Sequence, residues 1–167
     1  MNSLIQQVKQ TPVSIEFLRK RMPAGVKVLD YRRLPKSRAK LFEGGKPIVV
    51  LIPKKGENVG HFVCLLPWKR SIEYFSSLGN SPETELALLD EAKAKMMTIL
   101  GNNYTYNRTK LQRATYKVQD CASWCIARVM FSELKLREFL KLFQSSVVLR
   151  SKDDVVSFLT LLMMKNK

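Results

Sequence analysis

Pro47-Ile-Val-Val-Leu-Ile52, His61-Phe-Val-Cys-Leu-Leu66 and Ile72-Glu-Tyr-Phe75 are three apolar runs rich in β-branched and aromatic residues. They are separated by the turn-forming Lys55-Gly-Glu-Asn58 and by Pro67-Trp-Lys-Arg-Ser71, so the order predicts three consecutive strands. Unbroken apolar runs, rather than alternating ones, predict that the first two are central strands. The short second connection makes the third run an antiparallel neighbour of the second. Upstream, Val26-Lys-Val-Leu-Asp-Tyr31 predicts an edge strand. Ahead of it, Thr11-Pro12 and Ser14 signal the start of a helix carrying Ile15, Phe17, Leu18 and Met22, which Pro23-Ala-Gly25 ends. Downstream the period changes. Leu86, Leu89, Ala92, Met96 and Leu100 predict one helix from Glu83 to Leu100 with Gly101 as its stop. Tyr104-Thr-Tyr106 suits one more short strand, and Cys121 to Phe131 an apolar helix burying Trp124, Cys125, Val129 and Met130. Two amphipathic helices follow, Leu134 to Phe143 and one opened by the capping signature Ser151-Lys-Asp-Asp154. Helix, strands, then helices is the order of an α+β fold, with a central mixed or antiparallel sheet of about four to five strands in a single domain.

Composition bounds the function classes. The chain has 167 residues, 46% hydrophobic and 26% charged, with seven glycines and seven prolines, which describes a folded protein rather than a disordered one. Its net charge is +15, which favours a polyanionic partner or environment. Cys64, Cys121 and Cys125 are too few for a disulfide framework and lack the second ligand pair that zinc needs, so a reducing compartment and no metal are expected. The opening stretch has no apolar signal core, and Val155 to Met164 is about half a bilayer-spanning length; no membrane partner is expected.

Two residues stand out chemically. His61 is the single histidine, hence the favoured general base near neutral pH. Cys121 lies where a polar stretch passes into an apolar helix, and the positive end of a helix dipole lowers a thiol pKa. Cys125, one turn further in, and Cys64, inside a strand, read as small buried hydrophobes.

Gly60-His61-Phe62 on one strand, Tyr74-Phe75-Ser76-Ser77-Leu78-Gly79 ending another, Leu111-Gln112, and Cys121-Ala122-Ser123-Trp124-Cys125 opening a helix come in an order that resembles the adenovirus maturation protease group. This clan of cysteine proteases includes SUMO-removing enzymes and the capsid-processing proteases of large DNA viruses and virophages; the virophage and giant-virus branch is the most alike. The resemblance covers about residues 60 to 131 and implies a papain-like, adenain-like fold with the nucleophile at the N-terminus of a buried helix. Carried over by position, Cys121 is the nucleophile, His61 its base and Gln112 the amide donor to the oxyanion. Where the group orients the histidine with Asp or Glu through Nδ1, this chain has Ser76, whose neutral oxygen stabilises imidazolium less. Reduced activity or a more basic optimum is therefore expected unless Asn80 or Asp120 substitutes. Ala122 replaces a usual Gly, Phe62 a usual Trp, and the spacing from Gln112 to Cys121 is long enough that Gln119 is an alternative donor.

The function implied is a viral endopeptidase that cleaves capsid or core precursors during virion maturation, monomeric, acting in the virion and at the assembly site in host cytoplasm or nucleus. A basic relative that uses DNA as activator implies double-stranded DNA as a non-specific partner and no other cofactor. Arg32, Arg33, Lys36, Arg38 and Lys40 form the densest basic patch, in what reads as a solvated loop, and Arg108, Lys110 and Arg113 form a second. The alternatives are an inactive protease fold serving as a DNA-binding virion component, and a protease for ubiquitin-like modifiers.

Overall fold

Five strands form one sheet in the order β1-β2-β3-β4-β5: β1 (Lys27–Asp30), β2 (Ile48–Pro53), β3 (Gly60–Pro67), β4 (Ile72–Phe75) and β5 (Tyr104–Tyr106). The computed structural model describes residues 13–56, 60–112, 120–144 and 151–165. The central β2–β3–β4 unit is antiparallel, while β1 and β5 join its two sides in parallel, so the sheet is mixed and the fold α+β. Parallel edges need crossovers, and the helices supply the layers on either face.

Strand alternation sorts the core into two halves. Val28, Val49, Phe62, Cys64, Leu66 and Phe75 pack with α1 (Ile15–Arg21), α5 (Cys121–Met130), α6 (Leu136–Leu142) and α7 (Lys152–Lys165). Ile48, Val50, Ile52, Val63, Leu65, Ile72 and Tyr74 pack with Leu41 of α2 (Arg38–Leu41), Leu86 of α3 (Pro82–Leu88), and Met96, Ile99 and Leu100 of α4 (Ala94–Leu100). Both faces are covered, which explains why β2 and β3 read as continuous apolar runs.

Ser14 caps α1 by accepting from the Phe17 N–H, and Ser151 accepts from the Asp154 N–H at the start of α7. The Thr11-Pro12 signal lies outside the described residues, as do Asn58, Arg113 and Gln119. Three expectations need correction. The single helix expected from Glu83 to Leu100 is two. Asp90 has φ +55°, and the Glu91 N–H returns to the Leu86 carbonyl, which ends α3. The carbonyls of Leu89 and Ala92, which a continuous helix would use internally, instead accept from the Lys55 N–H and the Tyr31 hydroxyl. Met130 is 44% exposed rather than buried, because α5 ends there. The basic stretch is also partly ordered: a 3-10 turn at Tyr31–Arg33 and α2 bracket the buried Leu34.

A buried ion pair ties α5 to the sheet. Arg128 donates from Nε and Nη2 to the two Glu73 carboxylate oxygens at 2.7 and 2.9 Å, and its remaining donors reach the carbonyls of Phe131 and Leu134. Its guanidinium lies 5.0 Å from the Phe139 ring centre. α5 is thereby tied to β4 near its C-terminal end.

Candidate active site

The site lies at one end of the sheet, where β3 begins and β4 stops. In the register, Cys64 faces Phe75, so His61 at the start of β3 is beside the segment that leaves β4 at Ser76. This segment is rigid for identifiable reasons. The Ser76 N–H donates to Asn107 Oδ1 at 3.0 Å, and Asn107 Nδ2 donates back to the Ser76 carbonyl at 2.6 Å. Gly79 turns the chain at φ +74°, and a side chain there would meet the backbone of Thr109 and Lys110.

Cys121 is the first residue of α5, preceded by Asp120, which accepts from Ser157 Oγ. Its thiol adjoins the His61 ring and the backbone at Phe62 and Ala122. Burial pushes this thiol up, but the His61 hydrogen bond and charge and the two N–H groups outweigh it, holding the thiol below its ordinary value. His61 shows the complementary balance. Burial pushes its basicity down, while the hydrogen bond and charge of Cys121 and the charge of Glu85 raise it above the usual imidazole value. By contrast, burial, and then Cys64 and Cys121, drive Cys125 well above the ordinary thiol range.

The ring presents Nε2, not the expected Nδ1, to Ser76 Oγ, at 3.1 Å. The other nitrogen is left for the thiol. Gln112 is brought to the same end of the sheet by Ser77: its carbonyl accepts from the N–H groups of Leu111 and Gln112, and its hydroxyl donates to Gln112 Oε1 at 2.7 Å. That bond sets the orientation of the amide, because only its carbonyl oxygen can accept from the hydroxyl.

Exposure separates two groups. Cys121, His61 and Gln112 are 9, 7 and 7% exposed, whereas Ser76, Ser77, Glu85 and Asn107 are at most 1%. The first three keep a small exposed edge; the other four are closed over. Glu85 and Asn107 went unread in the sequence. Glu85 lies on the buried side of α3, where it accepts from Ser76 Oγ at 2.6 Å and approaches His61 Nε2 at 3.9 Å.

Arg32 of the basic patch is held by Glu91 at 2.6 and 2.8 Å, while Arg33, Lys36, Arg38 and Lys40 are exposed. A groove of about 740 Å³ is lined by Trp68, Tyr106, Asn107, Arg108 and residues of α6. Among the described residues no helix is long and apolar enough to cross a membrane.

Fold and site together define an α+β protein with a thiol–imidazole pair at the end of a mixed sheet. No protein-family model matches the chain. It is similar to a protein of Sputnik virophage carried as uncharacterized protein V9, 26% identical over 126 residues, a match spanning 67% of this chain and 72% of the virophage protein.

Proposed function

We propose that the protein is a cysteine endopeptidase with a papain-like, adenain-like site, acting on capsid or core precursors of a virus during particle maturation. The observation that carries this reading is the Cys121 thiol at the first turn of a buried helix, beside the chain's single histidine, which draws its value down. The likeness to a virophage protein supports the viral setting.

The chemistry follows from the groups present. The Cys121 thiolate attacks the scissile carbonyl carbon; the new C–S bond forms as the carbonyl electron pair moves onto oxygen. The Gln112 amide is the donor for that oxyanion, worth about 3 kcal/mol when preorganised. The electron pair returns to re-form the carbonyl and expel the amine, which takes the proton of the His61 imidazolium as the C–N bond breaks. Neutral His61 then removes a proton from water, which attacks the thioester and releases the acid and the thiol. The exposed cations Arg33, Lys36, Arg38 and Lys40 suit double-stranded DNA as a non-specific partner, with binding whose salt slope falls by about 0.9 for each phosphate contact removed.

The test is the alkylation rate of Cys121 across pH, by mass mapping, in the native chain and in His61→Ala, paired with cleavage of capsid precursors co-expressed from a virophage. Rapid labelling below pH 7 that His61→Ala abolishes, with cleavage lost in Cys121→Ala, is expected. Labelling no faster than a free thiol in both chains, with no cleavage, would leave a basic DNA-binding virion component on the same fold. Cleavage of a modifier conjugate in place of capsid protein would redirect the substrate class.

A further inference from the structure

We propose that Glu85 is a positioning residue that supplies His61 with negative charge through the hydroxyl of Ser76, so that the site is a line of four groups, Cys121, His61, Ser76 and Glu85. The proposal rests on the peptidase reading for its purpose, but not for its geometry.

The argument is an accounting of one hydroxyl. Ser76 Oγ has three neighbours: Glu85 Oε2 at 2.6 Å, His61 Nε2 at 3.1 Å and the Leu78 N–H at 3.3 Å. A hydroxyl has one proton and two lone pairs. A carboxylate only accepts, so the proton goes to Glu85. The Leu78 N–H only donates, so it takes one lone pair. The second lone pair remains for His61, whose Nε2 must then be the protonated nitrogen. Every capacity of the hydroxyl is used, and the direction of each bond is set by the carboxylate at its end. Ser76 thus fixes the tautomer that leaves Nδ1 to the thiol.

A serine alone would make a weak orienter; a serine that is itself held by a buried carboxylate does not. Charge-assisted hydrogen bonds are shorter and stronger than neutral ones, and the Ser76–Glu85 distance has that character. When His61 gains a proton, its positive charge sits 3.9 Å from Glu85 Oε1 in a region where both side chains are nearly inaccessible to water. The titratable groups facing His61 among the described residues are Cys121 from α5 and Glu85 from α3. Tyr74, from β4, also feels Glu85; burial first, then that carboxylate, pushes its phenol well above the ordinary range, so it remains neutral.

The position is built rather than incidental. Ser81 caps α3 by accepting from the Thr84 N–H, and Pro82 occupies its first turn, which sets the helix so that Glu85 and Leu86 turn inward. Asn107 holds the Ser76 backbone from both sides. The acid that the resemblance expects beside the histidine is therefore present one residue further out in the hydrogen-bond line, delivered by a helix of the opposite layer from the one bearing the nucleophile.

Because His61 is the single histidine, its ring can be followed without assignment. The experiment is an NMR titration of the His61 nitrogens and ring protons in Cys121→Ala, which removes the thiolate's contribution, with and without Glu85→Gln. The Nε2–H tautomer in the neutral form and a titration midpoint lowered by about one pH unit or more in Glu85→Gln are expected. The same midpoint in both chains, or the Nδ1–H tautomer, would overturn the proposal. Should Glu85→Gln fold poorly, Ser76→Asp combined with Glu85→Gln moves the charge to the direct position. Recovery of the native midpoint in the Cys121→Ala background, and of the pH profile of Cys121 labelling in the double variant that keeps this cysteine, supports the line, whereas no recovery in a folded double variant overturns it. A midpoint that responds to Glu85 in a chain that cleaves nothing would retire the peptidase reading and keep the electrostatic one; cleavage with an indifferent midpoint would do the reverse.

Discussion

Glu73 and Glu85 are both 1% exposed, yet they lie on opposite faces of the sheet and are satisfied differently. Glu73 meets a guanidinium through two parallel bonds, and that guanidinium fills its other donors with carbonyls. The charges match and the guanidinium makes four hydrogen bonds, two to the carboxylate and two to carbonyls, so the pair is held as part of the framework. Glu85 meets a neutral hydroxyl and, beyond it, an imidazole that gains and loses charge. The two acids show that burial alone does not mark a functional carboxylate. What marks it is the kind of partner: a permanent charge locks an acid into the framework, whereas a titrating partner couples it to chemistry.

The sharpest way to break this contrast is at Glu73. Glu73→Gln strands the Arg128 guanidinium, and loss of one partner of a buried pair costs about 3–5 kcal/mol. The urea midpoint should fall accordingly, while Cys121 labelling per folded molecule keeps its rate. A drop in thiol reactivity without loss of stability would mean that Glu73 also serves the site. On the other side, Gln112→Ala should lower kcat by about 10²–10³-fold, as removal of an oxyanion donor does, and leave the urea midpoint nearly unchanged. Unaltered kcat would transfer the donor role to backbone N–H groups.

The pH dependence follows from the two shifted groups. The Cys121 thiol is held below its ordinary value, so its contribution to stability is present above the unfolded thiol value and is lost as pH falls through the folded one. His61 is held above its ordinary value, so its contribution is fully present below the unfolded imidazole value and is lost as pH rises through the folded one. Labelling of Cys121 should therefore reach half-maximum below the free-thiol value of about 8.5, with Cys125, shifted the opposite way, unlabelled throughout that range. Equal labelling of the two would erase the distinction between a thiol beside the imidazole and one a turn further into the helix. A smaller effect belongs to Ser77→Ala, which removes the hydroxyl that donates to Gln112 Oε1: loss of one neutral hydrogen bond is worth about 1 kcal/mol, read as a several-fold drop in kcat with KM retained. Smallest of all is Arg32→Ala, since its pair with Glu91 is half exposed and such pairs contribute about 0–1 kcal/mol; a larger shift in melting temperature would show that the basic stretch is part of the framework.

The central strands and α5 were legible because their apolar runs are unbroken and both faces of the sheet are covered. His61, Ser76, Gln112 and Cys121 were legible as short motifs in a fixed order, and the structure brings His61 together with both Ser76 and Cys121. Glu85 was not. An acid in the first turn of a helix ordinarily reads as a dipole-matching surface residue, and its burial arises only when α3 packs over Tyr74. The break between α3 and α4 was equally hidden, because the groups that claim the Leu89 and Ala92 carbonyls, Lys55 and Tyr31, come from distant chain positions. Asn107 carries no local pattern either; its role exists only through Ser76.

The meeting of two layers at the sheet's end has a consequence for the time course of synthesis. The base comes from β3, its charge from α3 and the sulfur from α5, which is clamped in place by Arg128. A chain that has grown only as far as β5 has an imidazole with no sulfur beside it, and one whose α5 has yet to dock has a thiol of ordinary basicity. The lowered thiol value at Cys121 is thus acquired only once all three elements have met, late in the growth of the chain.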